Sequence, residues 1–175
     1  MALKSGFYNA FKVNGVYDRK YNADDYTNVF TAFIRDGIRQ SGLDDLKVTA
    51  KGLALSINTG YAVCGGRWVQ NDAVYNLATV TPPVGDYSRV DAVFLRTDAR
   101  ENVRAASFVY RTGTPASSPQ APAADTTTGV TEMMLATVRV APSATSVTVT
   151  DTRTYSTLRN TYVKQYKWRT VLTAT

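Results

Sequence analysis

The feature that most constrains this chain is a helix start at Asn22. Asn22 is a favoured N-cap, and Asp25 stands three residues on, in the position of the acidic partner of a capping box. Tyr21 and Tyr26 flank the cap at the spacing of a hydrophobic staple. Asp24 and Asp25 place negative charge against the positive end of the helix dipole. Tyr26, Val29, Phe30, Phe33, Ile34 and Ile38 then recur at helical spacing and define one apolar face. Arg35 and Arg39 suit the opposite end of the dipole, and Gly42 suits a C-cap. The pattern predicts a helix over about residues 23–41. Two fates are open to its apolar face: packing on a sheet of its own domain, the more frequent arrangement, or packing on the same helix of a sister subunit.

No second helix signal follows. Leu53, Leu55 and Ile57 alternate with Ala54, Ser56 and Asn58, the pattern of a strand with one buried face. Residues 61–64 and 67–70 flank Gly65-Gly66 and read as a tight hairpin. Residues 73–80 form a further strand. Residues 89–96 are apolar on both faces, as in a central strand, and 103–112 return from a polar turn at 98–102. Asp91 shares a face with Val93 and Leu95, so its carboxylate needs a partner, and Arg89 two residues back can supply one. Residues 133–140 and 146–151 complete the strands. The expected fold is mainly β with one N-terminal helix (α+β), an antiparallel sandwich or barrel-like domain.

Three segments follow from this reading. Residues 1–46 hold an N-terminal arm and the helix. The arm carries Phe7, Tyr8, Phe11, Val13, Val16 and Tyr17 around a tight-turn signal at Asn14-Gly15, and it is expected to pack on its own domain, with a crossing to a neighbouring subunit as the alternative. Residues 47–154 form the β domain, interrupted by a Pro/Ala/Ser/Thr-rich loop at 113–130 that is either mobile or laid across a surface. Residues 155–175 form a basic, aromatic tail. Period-two alternation puts Tyr162, Tyr166, Trp168 and Leu172 on one face of it, which suits a subunit contact first and closure of its own sheet second.

The chemistry that is missing narrows function. Histidine is absent, which removes the commonest general base and metal ligand. The single Cys64 excludes an internal disulfide and a multi-cysteine metal site, and it reads as a small half-buried hydrophobe. No phosphate-binding glycine motif is present, because Gly65-Gly66 lacks both the following helix and the lysine. The reading is therefore a non-enzyme with no cofactor and no metal. The net charge of +6 is concentrated, since Arg159, Lys164, Lys167 and Arg169 lie in the last twenty residues with no acid among them. The nearly neutral remainder does not suit nucleic acid. No apolar run is long enough to span a membrane as a helix, and residues 1–6 lack the apolar centre of a signal peptide, so a soluble chain made in a cytoplasm is expected.

The stretch Asp18-Arg19-Lys20-Tyr21-Asn22-Ala23-Asp24-Asp25-Tyr26 resembles the start of a family of tailed-phage structural proteins, the N-terminal domains of baseplate upper proteins and related tail proteins, chiefly from phages of Gram-positive bacteria. The resemblance continues through residues 52–62, 67–69, 89–93, 111–119 and 134–140, and covers about residues 5–153. It implies a virion component assembled in the bacterial cytoplasm, oligomeric and often trimeric, whose partners are itself and other tail or baseplate proteins. On that footing the candidate subunit-interface residues are Tyr17, Arg19, Tyr21, Asp24, Tyr26, Phe30, Arg35, Tyr162, Tyr166 and Trp168. The alternative is a host-surface carbohydrate-binding module, with Trp68, Tyr61, Tyr75 and Tyr87 as stacking platforms for a glycan.

Overall fold

The structure, a computed structural model, describes residues 9–18 and 20–159. It opens with a small hairpin, β1 (Lys12–Val13) and β2 (Val16–Tyr17), turned by Asn14 and Gly15, both with positive φ as a two-residue hairpin turn requires. Helix α1 (Ala23–Phe33) follows. Then come β3 (Gly37–Ile38), β4 (Val48–Lys51), β5 (Ala54–Ile57), β6 (Gly60–Cys64), β7 (Arg67–Asn71) and β8 (Tyr75–Thr79). The chain continues with β9 (Arg89–Asp98), β10 (Ala105–Arg111), β11 (Val130–Val140) and β12 (Thr148–Asp151). Every ladder is antiparallel, so the expected β-rich α+β class holds.

Three sheets build the body. A four-stranded sheet runs β10-β9-β11-β12, and a three-stranded sheet runs β4-β5-β8. β8 lies along β10 and β4 along β12, so the two sheets close on each other at both sides. One seam is held by the tilted rings of Tyr75 and Phe108, 5.2 Å between centroids, and the other by Val147 N–H donating to the Gly52 carbonyl at 3.2 Å. The third sheet, β3-β6-β7, sits against β9 and β11 through β6. The alternating positions expected from the sequence point inward: Leu55 and Ile57 from β5, Ala62 and Cys64 from β6, Val93 and Leu95 from β9, Val138 and Val140 from β11. Burial pushes the Cys64 thiol up to about 11, which suits a packing role. β11 carries a bulge between Met134 and Ala136, and the extra residue, Leu135, is fully buried.

β9 is buried on both faces, as its sequence predicts. Its inner face ends in a charged knot. The Arg89 guanidinium grips Asp91 at 2.8 and 3.2 Å and donates to the Thr81 carbonyl at 2.7 Å. The Tyr110 hydroxyl and the Gly113 N–H, the latter at 2.8 Å, also donate to Asp91. Burial and the neighbouring carboxylate push the Tyr110 phenol up to about 12, so it stays a donor. Gly113 is obligatory there: a Cβ would stand 2.0 Å from the Val90 carbonyl oxygen.

The outer face of β9 is roofed by the proline-rich loop. Arg111 holds Glu132 through both guanidinium nitrogens at 2.9–3.1 Å and donates to the Ala123 carbonyl at 2.6 Å. Asp125 N–H donates to the same carboxylate at 2.6 Å, and Arg96 reaches Asp125 at 3.1 Å. Beneath lies Phe94, fully buried, with the Arg111 guanidinium 4.8 Å above its ring. Of the two expectations for this loop, the structure selects a strap laid across a surface.

The helix is shorter than expected. It ends at Phe33, not near residue 41, and Ile34 is extended. Ile34 bridges Leu158, and Ile38, which shares the helical spacing, instead sits in β3 as a fully buried core residue. Ile38 N–H donates to Thr154 O at 2.7 Å, and Ser156 N–H donates to Ile38 O at 2.9 Å. Pairing with residues 154–158 therefore overrides the local periodicity. Gly42 caps nothing, and no basic residue lies in the last helical turn. The positive charge at that end is Arg159, whose Nε donates to the Ile34 carbonyl at 3.4 Å.

Two outcomes test this fold. Asp91→Ala should leave the nearly buried Arg89 guanidinium without its carboxylate and cost about 3–5 kcal/mol, read as a lower urea midpoint. Asp98 is held down to about 2, chiefly by hydrogen bonds from Arg100. An unfolded aspartate titrates near 3.9, so the stabilisation is complete above that pH and is lost as pH falls from about 4 to 2. A urea midpoint that drops through this window in the parent, and drops less in Asp98→Asn, is the expected result.

Candidate interaction surface

Several of the exposed aromatic residues singled out in the sequence lie on or beside α1. α1 is built as its cap predicts. The Asn22 side chain accepts from the N–H groups of Asp24 and Asp25 at 3.0 Å each, and Asp25 accepts from Asn22 N–H at 2.9 Å. At the far end Ile34 N–H donates to Phe30 O at 2.7 Å, and Arg159 N–H satisfies the Phe33 carbonyl at 2.7 Å.

α1 is seated by the tip of the β6–β7 hairpin. Gly65 and Gly66 both have positive φ, and their N–H groups donate to the Asp36 carboxylate at 2.8 and 3.3 Å. A Cβ on Gly66 would meet Thr31 Oγ1 at 2.3 Å, so the backbone itself touches the helix. Asp24 reaches across to Arg67 at 3.3 Å. These contacts fix α1 by its polar threonine side. The expectation that its apolar face packs on a sheet fails among the described residues: no α1 residue is buried, and Phe30 and Phe33 are 45% and 64% exposed.

Trp68, on the outer face of β7, is 73% exposed and stands between two grooves. One, of about 540 Å³, runs between Trp68 and the Tyr26 and Phe30 side of α1. The other, of about 490 Å³, lies between Trp68, the helix start at Asn22–Asp24 and the edge residues Ala105 and Ala106 of β10. Among the described residues the N-terminal arm is not packed on the body, while Phe7 and Tyr8 lie outside the described residues. Every described residue of 9–18 is exposed, including Phe11, Val13, Val16 and Tyr17. The β1–β2 hairpin is closed by Asp18 accepting from Phe11 N–H at 2.8 Å and by Asp18 N–H donating to Phe11 O at 2.9 Å.

The candidate interface residues therefore separate. Asp24, Tyr26 and Phe30 lie on α1 and Tyr21 just before it, while Tyr17 lies on the hairpin. Arg35 is exposed beyond the end of the helix, its backbone paired with Thr157. Arg19, Tyr162, Tyr166 and Trp168 lie outside the described residues. The four aromatics of the carbohydrate reading are not gathered. The Tyr61 ring sits 4.1 Å under the Arg39 guanidinium, Tyr75 packs tilted against Phe108, and Tyr87 precedes β9. The sequence offers Trp68 as a hairpin-strand residue and a sugar platform; its place beside the helix follows from the Gly66 contact, which no local pattern encodes. Among the described residues no group of three or more acidic or cysteine side chains is placed to hold a metal, and no helix is long and apolar enough to cross a membrane.

Because α1 is short and poorly buried, its cap carries unusual weight. Asn22→Ala should cost about 1 kcal/mol, and faster amide exchange over residues 23–26 than over the β9–β11 ladder should localise the loss.

Comparison with known proteins gives no match to a family model, to a curated protein or to a solved structure.

Proposed function

We propose that this chain is a structural subunit of a bacteriophage tail or baseplate, an oligomeric adaptor, most simply a trimer, that joins the tail tip to neighbouring tail or receptor-binding proteins. The observation that carries the oligomeric part is the β1–β2 hairpin. A lone two-stranded hairpin is marginal in water, and this one exposes four large apolar side chains: Phe11, Val13, Val16 and Tyr17. Such a hairpin suits a contact completed by another copy. Burying a large apolar side chain fully is worth about 1.5–3 kcal/mol, so four supply several kcal/mol. Association costs about 4–15 kcal/mol, so a single such contact is weak. In a closed ring each copy both gives and receives a hairpin, and the contacts reinforce one another. The phage assignment rests on the resemblance of residues 18–26 and the motifs that follow them in order. Those residues serve structural ends: Asp18 closes the hairpin, Asn22 and Asp25 cap α1, and Asp24 pairs with Arg67.

Light scattering at rising concentration tests the reading. The parent should reach the mass of a closed oligomer. Phe11→Ser with Val16→Ser should shift the protein to monomer while its circular dichroism stays strand-rich. A parent that stays monomeric at high concentration and binds no other tail protein would overturn it.

A further inference from the structure

Asn14 is the one asparagine in the chain followed by glycine, and Asp36 is the one aspartate followed by glycine. Both dipeptides carry the atoms for closing a five-membered imide on the backbone, because glycine has no Cβ to hinder attack of its nitrogen on the preceding side-chain carbonyl carbon. The structure treats the two oppositely. The Asp36 carboxylate accepts from Gly65 N–H at 2.8 Å and from Gly66 N–H at 3.3 Å. Gly37 is buried in β3, pairs with Val63 and packs on the Ser156 backbone. Asn14 and Gly15 are instead both exposed, with φ of 51° and 81°, and nothing lies within 4 Å of where a Cβ on Gly15 would stand. The ladder they turn has two residue pairs, Lys12 with Tyr17 and Val13 with Val16. A hairpin that short opens at little cost in free energy. Opening lets the Asn14 backbone rotate until the Gly15 nitrogen faces the Asn14 side chain, a geometry the closed turn does not offer.

We propose that Asn14 is a site of spontaneous deamidation and backbone isomerisation, gated by opening of the β1–β2 hairpin. The Gly15 nitrogen attacks Asn14 Cγ. The new N–Cγ bond forms, the Cγ–Nδ2 bond breaks, and the Gly15 N–H proton leaves with the departing nitrogen as ammonia, so a succinimide remains. Water then opens the ring. Addition at Cγ gives aspartate. Addition at the Asn14 main-chain carbonyl carbon gives isoaspartate, in which the chain runs through the former side chain. One water enters and one ammonia leaves, with no change of oxidation state. Either product puts a carboxylate where the turn had a neutral amide. Isoaspartate also adds a methylene to the main chain inside a two-residue turn, so Val13 and Val16 lose their register. The proposal goes beyond the assembly reading and does not rest on it.

Peptide mass spectrometry on the full chain, aged for days in mildly alkaline buffer, tests it. A synthetic peptide of residues 9–18 supplies the rate without the fold. The segment holding Asn14 should gain the mass of oxygen in place of NH, at a rate within about tenfold of the free peptide. L-isoaspartyl methyltransferase should label that segment and leave the segment holding Asp36 unlabelled. The variant Asn14→Gly keeps a residue that accepts positive φ and should take up no label in the hairpin. Slower conversion than this, label at Asp36 ahead of Asn14, or label persisting in the variant hairpin overturns the proposal. Light scattering on the same samples keeps the result apart from the assembly reading. Conversion in a chain that stays monomeric at high concentration upholds this proposal and counts against assembly, whereas an intact Asn14 in a closed oligomer does the reverse.

Discussion

A buried carboxylate anchors the body. Asp91 is fully enclosed, yet it accepts from Arg89, Tyr110 and the Gly113 N–H. A bare carboxylate in that position would destabilise the fold by several kcal/mol or take up a proton. Its donors come from three different places: its own strand, the neighbouring strand β10, and the first turn of the proline-rich strap. Satisfying one charge thus fixes the β9–β10 register, the place where the strap departs and, through Thr81, the crossing from β8. Glu132 does the equivalent work on the opposite face, where Arg111, Arg96 and Asp125 N–H converge on it. The two carboxylates bracket β9, and the core packs around a strand whose position is already determined.

How much of this was legible depended on distance along the chain. The Asp91–Arg89 pair spans two residues of one strand, and alternation alone places both on one face. The hairpins at Asn14-Gly15 and Gly65-Gly66, the Asn22–Asp25 cap and the inward set of Leu55, Ile57, Val93 and Leu95 are equally local. The end of the helix is not. Ile34 and Ile38 satisfy helical spacing, and the partners that draw them into extended pairing, Leu158 and Thr154, lie more than a hundred residues away. The same distance hides the cation at the helix end. Arg35 and Arg39 have the right local position, but Arg159 makes the contact.

The strap was legible as a loop, with a mobile segment and one laid across a surface left open. Its prolines and small residues announce the absence of regular pairing, while its attachment depends on Arg111 and Glu132, which meet only once β10 and β11 flank β9. Local alternation shows Asp91 inside its strand, whereas Glu132 falls before the apolar run 133–140 and enters β11 only because that strand begins at Val130. The candidate surface shows a similar division. The aromatic residues of α1 and the arm were visible as apolar, and their exposure depends on what does not cover them, a property no window of sequence contains.

The strap has a consequence for how this molecule can meet others. A sheet face buried under a segment with Pro115, Pro119 and Pro122 offers a visitor few backbone donors, and the edges of the two main sheets are occupied by each other along the seams. The flanks are in this sense passivated. Large apolar side chains stay exposed on the hairpin, on α1 and on β7, among them Phe11, Val16, Phe33 and Trp68, a feature the nearly neutral charge of the body does not reveal. Along these seams the body can meet a neighbour through side chains but not through shared backbone pairing.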